Sequence, residues 1–404
     1  MNKYILLALP LAKASVVFSA PAPYNENIRG TYENKIRQNA NPEKVFETFA
    51  SIKERKNYYM SVADFFKAIT PYNYSSCVNQ NFFDSHESLV FKIADANGDG
   101  KLSFSEYFFF IVLLSTGAKW FKEMFKSYGG TVTREQFIEI MKEAKKRSPQ
   151  GKHMVNTKGH LDPRSSNVTD EQFRESCLTL SELFFKNDKN LISWREFMNL
   201  KNLIMEELLY YEFHAFEVDE DMSISSEDFA KSIISYMPVS KAAEYLRRLE
   251  TLKLKGRVKY SEYMAFMIIL QQSKRLENAL LFKRTEHGRA LSRKDIKKVL
   301  AKLCKDSKFC RNNGLSISDI QIKVFVELLD LDDSGFLEPE EFFNVLVSRD
   351  SFGTAQASKP DIDLMAEKSK EAVNFVLKYF GFKPYFAEKS SQEKITNKLN
   401  TLEH

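Results

Sequence analysis

Two stretches of the chain set hard oxygen donors at intervals suited to a single divalent cation. A calcium ion takes six to eight oxygens, and a twelve-residue loop delivers them from positions 1, 3, 5, 9 and 12 with a backbone carbonyl at 7. In the first stretch Asp95, Asn97 and Asp99 hold positions 1, 3 and 5, Lys101 offers its carbonyl, Ser103 stands at 9, and Glu106 closes with two oxygens. Gly100 supplies the sharp turn at position 6. The second stretch repeats the arrangement with Asp330, Asp332, Ser334, the Phe336 carbonyl, Glu338 and Glu341 around Gly335. Pro339 is compatible with it, because a first helical turn needs no N–H there. The cofactor these donors predict is Ca2+, bound by loops of the EF-hand pattern.

Such loops must hang between helices, and the joint recurs along the chain. The pattern is an aliphatic residue, Ser or Thr, two residues, an acid or Gln, then Phe or Tyr. It begins at Leu102, Val132, Ile192, Ile224, Val258, Leu291 and Leu337, with a weaker eighth copy at Met60. Ser or Thr suits an N-cap, an acid at the third helical position suits the positive helix end, and the aromatic opens a buried stripe. The aliphatic residue is the one expected to pair with a neighbouring loop, so eight units make four pairs in two lobes. Spacing alone leaves open which unit pairs with which.

Most copies lack ligands. The loop ending at Gln136 starts with Phe125 and carries Ser127 and Gly129, the one ending at Glu196 starts with Phe185, and the one ending at Glu262 holds Thr251, Lys253 and Lys255. The unit from Glu217 to Asp228 is intermediate: Glu217, Asp219 and Asp221 offer oxygens, but Met222 replaces the turn glycine and Asp228 is shorter than Glu.

The fold class expected is all-α: two lobes of paired helix-loop-helix units, a small N-terminal domain and a C-terminal helix. The divisions are 1–26 as an apolar targeting segment, 27–88 as the N-terminal domain, 89–205 and 206–350 as the lobes, and 351–404 as linker and C-terminal helix. Residues 145–170 and 349–361 are polar connections. The helix over about 362–380 has a lysine-rich side suited to an anionic membrane surface.

Of 404 residues, 59 are basic and 54 acidic, a balance that does not point to nucleic acid. No HExxH, GxSxG or glycine-rich phosphate loop occurs and the six His are scattered, so neither an enzyme nor a small-molecule substrate is indicated. Cys77, Cys177, Cys304 and Cys310 form no CxxC pair; buried reduced thiols are expected, although Cys304 and Cys310 could close a short loop in an oxidising compartment. The apolar start and the sequons at Asn73 and Asn167 support an alternative, an EF-hand calcium buffer or adaptor of the secretory pathway.

Residues 32–37 (YENKIR), 42–46 (PEKVF), 60–65 (MSVADF), 102–107 (LSFSEY) and 209–213 (LYYEF), in this order around the loops, resemble the mitochondrial calcium uptake (MICU) proteins over roughly residues 30–380. The resemblance implies a calcium-sensing gatekeeper of the mitochondrial calcium uniporter. It would lie in the intermembrane space, peripheral to the inner membrane, as a homo- or heterodimer with a related EF-hand protein. In animal members the first-lobe calcium loop corresponds to the unit ending here at Gln136; a complete loop at the earlier position is similar to plant-type members. The family's contact with the pore uses basic residues just after the last loop, which implies Arg349, while Phe352 stands at the second such position. No Cys lies in the C-terminal region to make the interchain disulfide of some members.

Overall fold

Each copy of the repeat becomes the exit from a loop into a helix, and its side chains show why. In most copies Ser or Thr caps the helix, its oxygen accepting the amide three residues on, while the acid or Gln there accepts the amide of the cap; Lys259 and Glu338 stand at that place in the other two. Ser61 with Asp64, Ser103 with Glu106, Thr133 with Gln136, Ser193 with Glu196 and Ser292 with Asp295 all close this reciprocal box. The aliphatic residue before the cap is fully buried in every copy: Met60, Leu102, Val132, Ile192, Ile224, Val258, Leu291 and Leu337. So is the residue that opens the stripe, an aromatic from Phe65 and Tyr107 through Phe342 in seven copies and Ile296 in the other.

The computed structural model describes residues 24–75, 88–148, 151, 168–182, 184–185, 190–287, 290–338 and 341–342. Arg349, Asn167, Cys77, the expected C-terminal helix and the chain before Tyr24 lie outside the described residues. The described chain is helical, from Tyr24–Asn39 to Asp319–Leu329, with eight short strands in four antiparallel ribbons.

The pairing that sequence spacing leaves open is sequential. Strand β3 (Thr131–Val132) sets Val132 opposite Ile192 of β4 (Ile192–Ser193). Ile224 of β5 (Ser223–Ser225) faces Val258 of β6 (Arg257–Lys259), and Leu291 of β7 (Leu291–Ser292) faces Leu337 of β8 (Phe336–Leu337). The weak copy completes the set: Met60 and Leu102 exchange both backbone hydrogen bonds, each at 2.9 Å. Met60 lies directly after the hairpin of β1 (Ile52–Glu54) and β2 (Asn57–Tyr59). The first calcium-type loop is therefore paired with the N-terminal region.

Two apolar clusters follow from this order. One runs from Ile36 to Tyr211 and is filled by Phe65, Phe108, Phe109, Phe121, Phe137 and Phe197 among others. The other contains Leu209, Phe213, Phe229, Phe266, Phe325 and Phe342. The 21-residue helix Trp194–His214 belongs to both, giving Phe197 and Ile204 to the first and Leu209 and Phe213 to the second. Burying aromatics of this size is worth about 1.5–3 kcal/mol per side chain, so a helix shared by two cores is firmly held.

Lys145 to Arg147, read from sequence as the start of a polar connection, instead close the helix Arg134–Arg147, and the Lys145 ammonium bonds Asp170 at 2.9 Å. Cations in a last helical turn complement the exposed carbonyls there. Cys177, Cys304 and Cys310 are free and buried. No described helix is long and apolar enough to cross a membrane.

Candidate metal centres

The first loop opens as the helix Leu89–Ala94 ends and closes where Phe104–Ser115 begins. Asp95 organises its turn: Oδ1 accepts the amides of Gly98 (2.9 Å) and Asp99 (3.2 Å), and Oδ2 accepts that of Gly100 (2.9 Å). Asn97 Oδ1 accepts the Asp99 amide at 2.9 Å, and Asp99 Oδ1 that of Lys101 at 3.1 Å. Glu106 ties the two ends together. Its Oε1 accepts Ala96 N at 3.0 Å and Asn97 N at 3.3 Å, while Oε2 accepts Ser103 N at 2.8 Å and Ser103 Oγ at 2.7 Å.

The second loop, entered from Asp319–Leu329, has the same wiring. Asp330 accepts Ser334 N at 2.9 Å and Gly335 N at 2.8 Å; Glu341 accepts Leu331 N at 3.1 Å and Glu338 N at 2.9 Å. Asp332 Oδ1 accepts Ser334 N at 3.0 Å. Gly100 and Gly335 both turn with φ +78, in the left-handed region that only glycine enters freely. At position 4 the first loop uses Gly98 (φ +71), whereas the second forces Asp333 to φ +57.

The donors present fit the ion. One carboxylate oxygen each from Asp330, Asp332 and Glu341 lies within 4.8 Å of the others, a convergence of hard oxygens of the kind calcium selects. Burial pushes the carboxyl groups of Glu106 and Glu341 up, opposed by the hydrogen bonds they accept and reinforced by the neighbouring aspartates. A closing carboxylate at the edge of the core, beside other acids, is one whose charge a cation would relieve.

Charged groups from outside the loops brace them. Lys101 bonds Glu54 of the N-terminal hairpin and lies 4.6 Å from the Tyr59 ring. Arg248, on the helix Val239–Thr251, pairs with Asp333 and donates to the Glu327 carbonyl at 3.2 Å, and Arg284 reaches Glu338 at 3.3 Å. Glu207 accepts Ser88 Oγ at 2.6 Å and Val90 N at 3.1 Å, so the shared helix holds the start of the helix that enters the first loop. Sequence reasoning missed Glu54, Arg248 and Glu207 as site residues, because each meets its loop from tens of residues away and no local motif marks it.

The degenerate units keep the loop exit without the donors. Thr133 and Gln136, and Ser193 and Glu196, close capping boxes around loops that begin with Phe125 and Phe185. Phe125 is fully buried and stacks on Phe197 at 5.5 Å, so position 1 of that loop is core.

A family model described as "EF hand" matches residues 87–107, which contain the first loop. The chain is 27% identical over 366 residues to the mitochondrial calcium uptake protein of Arabidopsis thaliana, covering 85% of this chain and 70% of that one. It is 23% identical over 354 residues to the mitochondrial calcium uptake protein 1 homolog of Caenorhabditis elegans, covering 79% and 62%. The chain thus spans somewhat less than two thirds of the nematode protein's length. The crystal structure of EFHA2 in the apo state aligns with a TM-score of 0.50 at 18% identity over 78% of this chain and 98% of that one, a likeness of fold. On the EF-hand loop and the likeness to these relatives over most of its length, the chain is similar to mitochondrial calcium uptake proteins and binds Ca2+.

Proposed function

We propose that the chain is a calcium-sensing regulatory subunit of the mitochondrial calcium uniporter, a regulator rather than a catalyst. The ligands we assign are Asp95, Asn97, Asp99, the Lys101 carbonyl, Ser103 and Glu106, and Asp330, Asp332, Ser334, the Phe336 carbonyl, Glu338 and Glu341. The observation that carries the reading is the duplicate wiring of two loops in different cores, joined by the helix Trp194–His214. Each loop ends on a glutamate strapped to both loop ends, so a calcium ion drawing on that glutamate pulls on two helices at once. A protein built to store calcium would have no need of a rigid strut between sites.

Mitochondrial residence follows the names of its relatives, and we place the chain at the outer face of the inner membrane, as a homo- or heterodimer against the pore complex. Arg349 is assigned to the pore contact. The secretory alternative loses support at Asn73, which is buried and donates Nδ2 to the Ala215 carbonyl at 2.8 Å. That nitrogen is not presented to a glycosylating enzyme.

The test is calcium uptake by mitochondria from cells in which the native chain is replaced by Glu106→Lys/Glu341→Lys. We expect the calcium threshold for uptake to lose its dependence on this subunit. Unchanged threshold and cooperativity would overturn the proposal.

A further inference from the structure

The loop from Glu217 to Asp228 has three acids at ligand positions and yet is closed by the chain itself. Arg257, on β6 of the paired unit, extends its guanidinium into it. Nη2 donates to Asp219 Oδ2 at 2.7 Å and to the Ser223 carbonyl at 2.8 Å, and Nε donates to Ser223 Oγ at 2.7 Å. Ser223 Oγ in turn donates to Asp221 Oδ1 at 2.6 Å. Asp219, Asp221 and the Ser223 carbonyl are positions 3, 5 and 7, the oxygens that would turn toward a calcium ion. Here Asp219 and the Ser223 carbonyl meet one planar, permanently charged fork directly, and Asp221 is tied to it through Ser223 Oγ.

The rest of the loop has adapted to this occupant. Met222 takes the turn that Gly100 and Gly335 make, at φ +57, a conformation uncommon for a side chain of its size. The Ser223 carbonyl also accepts the Asp219 amide at 3.0 Å, drawing the loop tighter. At position 12, Asp228 Oδ2 accepts Ser225 Oγ at 2.8 Å and the other oxygen lies 3.9 Å from Lys231.

We infer that Arg257 is a tethered cation that holds the 217–228 loop shut in place of calcium, making this pair of units insensitive to the ion. The inference stands apart from any role at a channel. Its chemistry is an intramolecular guanidinium–carboxylate lock across β5 and β6, and the occupant cannot dissociate.

The experiment is amide hydrogen exchange on the full chain carrying Glu106→Gln/Glu341→Gln, which removes response from the two complete loops. In that background the amides of 217–228 should exchange equally in chelator and in millimolar calcium. Adding Arg257→Gln should speed their exchange at least tenfold in chelator, and Asp219→Asn should do the same from the other side of the contact if Arg257→Gln does not fold. Arg257→Lys, which keeps the charge but not the fork, should fall between. Exchange that slows on adding calcium while Arg257 is intact would overturn the inference. So would exchange left unchanged by both Arg257→Gln and Asp219→Asn.

Discussion

Replacing Glu106 by Gln keeps the size of the side chain and removes one of its two accepting oxygens. The wild-type carboxylate accepts four donors, two on Oε1 from Ala96 and Asn97 and two on Oε2 from Ser103. Gln can serve only one of these pairs, and its NH2 group then faces donors it cannot accept. Leaving such a pair unmet costs about 1–3 kcal/mol even without calcium. The calcium-dependent part is separate. A site with an affinity of about 10 µM, within the range of EF-hand sensors, contributes about 2.7 kcal/mol when calcium stands at a hundred times that value. Urea unfolding in chelator and in 1 mM calcium separates the two. Wild type should gain from both loops, Glu106→Gln should lose about half of the gain, and Glu106→Gln/Glu341→Gln nearly all of it. If Glu106→Gln keeps the full calcium increment, the first loop is not a site and the reasoning from its geometry fails.

Lys201 gives a pH test of the first core. Its ammonium donates to the carbonyls of Leu113 and Thr116, each at 3.0 Å, and burial lowers its pKa from 10.5 to about 8. Between those values the unfolded chain holds the proton and the folded chain releases it, so native stability relative to Lys201→Met should rise as pH climbs from about 8 to 10.5. The gain is about 1–3 kcal/mol after allowance for partial exposure, read from urea midpoints of both proteins at pH 7.5 and 10; parallel values would refute it. Glu207→Gln should weaken the start of Leu89–Ala94 by about 1 kcal/mol and lower the cooperativity of calcium titration followed by calorimetry. Cooperativity equal to wild type would show that the two loops do not communicate through this carboxylate.

Much of this was legible because it is local. The capping boxes, the buried aliphatic and aromatic residues, and the oxygen spacing at 95–106 and 330–341 all lie within twelve residues, where backbone geometry dictates the donor set. Pairing was not legible, since each pair of repeat units joins residues from tens of positions apart and any aliphatic residue of the repeat could face any other. Met60 read as a weaker copy of the repeat, yet its strand contact with Leu102 needs only a backbone and an apolar side chain. Arg257 was invisible for a related reason. A loop read by its own acids says nothing of a cation arriving from a strand 34 residues on.

The order of the four pairs restricts where calcium can act. The complete loops belong to the first and last pairs, partnered by Met60 and by Leu291. Between them stand a pair whose loops open on phenylalanines, one of them fixed in the core, and a pair closed by Arg257. The two middle pairs share the helix Trp194–His214, packed in both cores, so the two complete loops are joined through a helix held at both ends. On this arrangement calcium would act at the two ends, one beside the hairpin carrying Glu54, the other at the loop that follows the helix Asp319–Leu329. Each end can answer calcium on its own, and coupling between them must pass through contacts on the strut such as Glu207. A partner engaging both ends would therefore read two sensors at a fixed separation, which gives a graded calcium signal a sharper threshold than either loop could set alone.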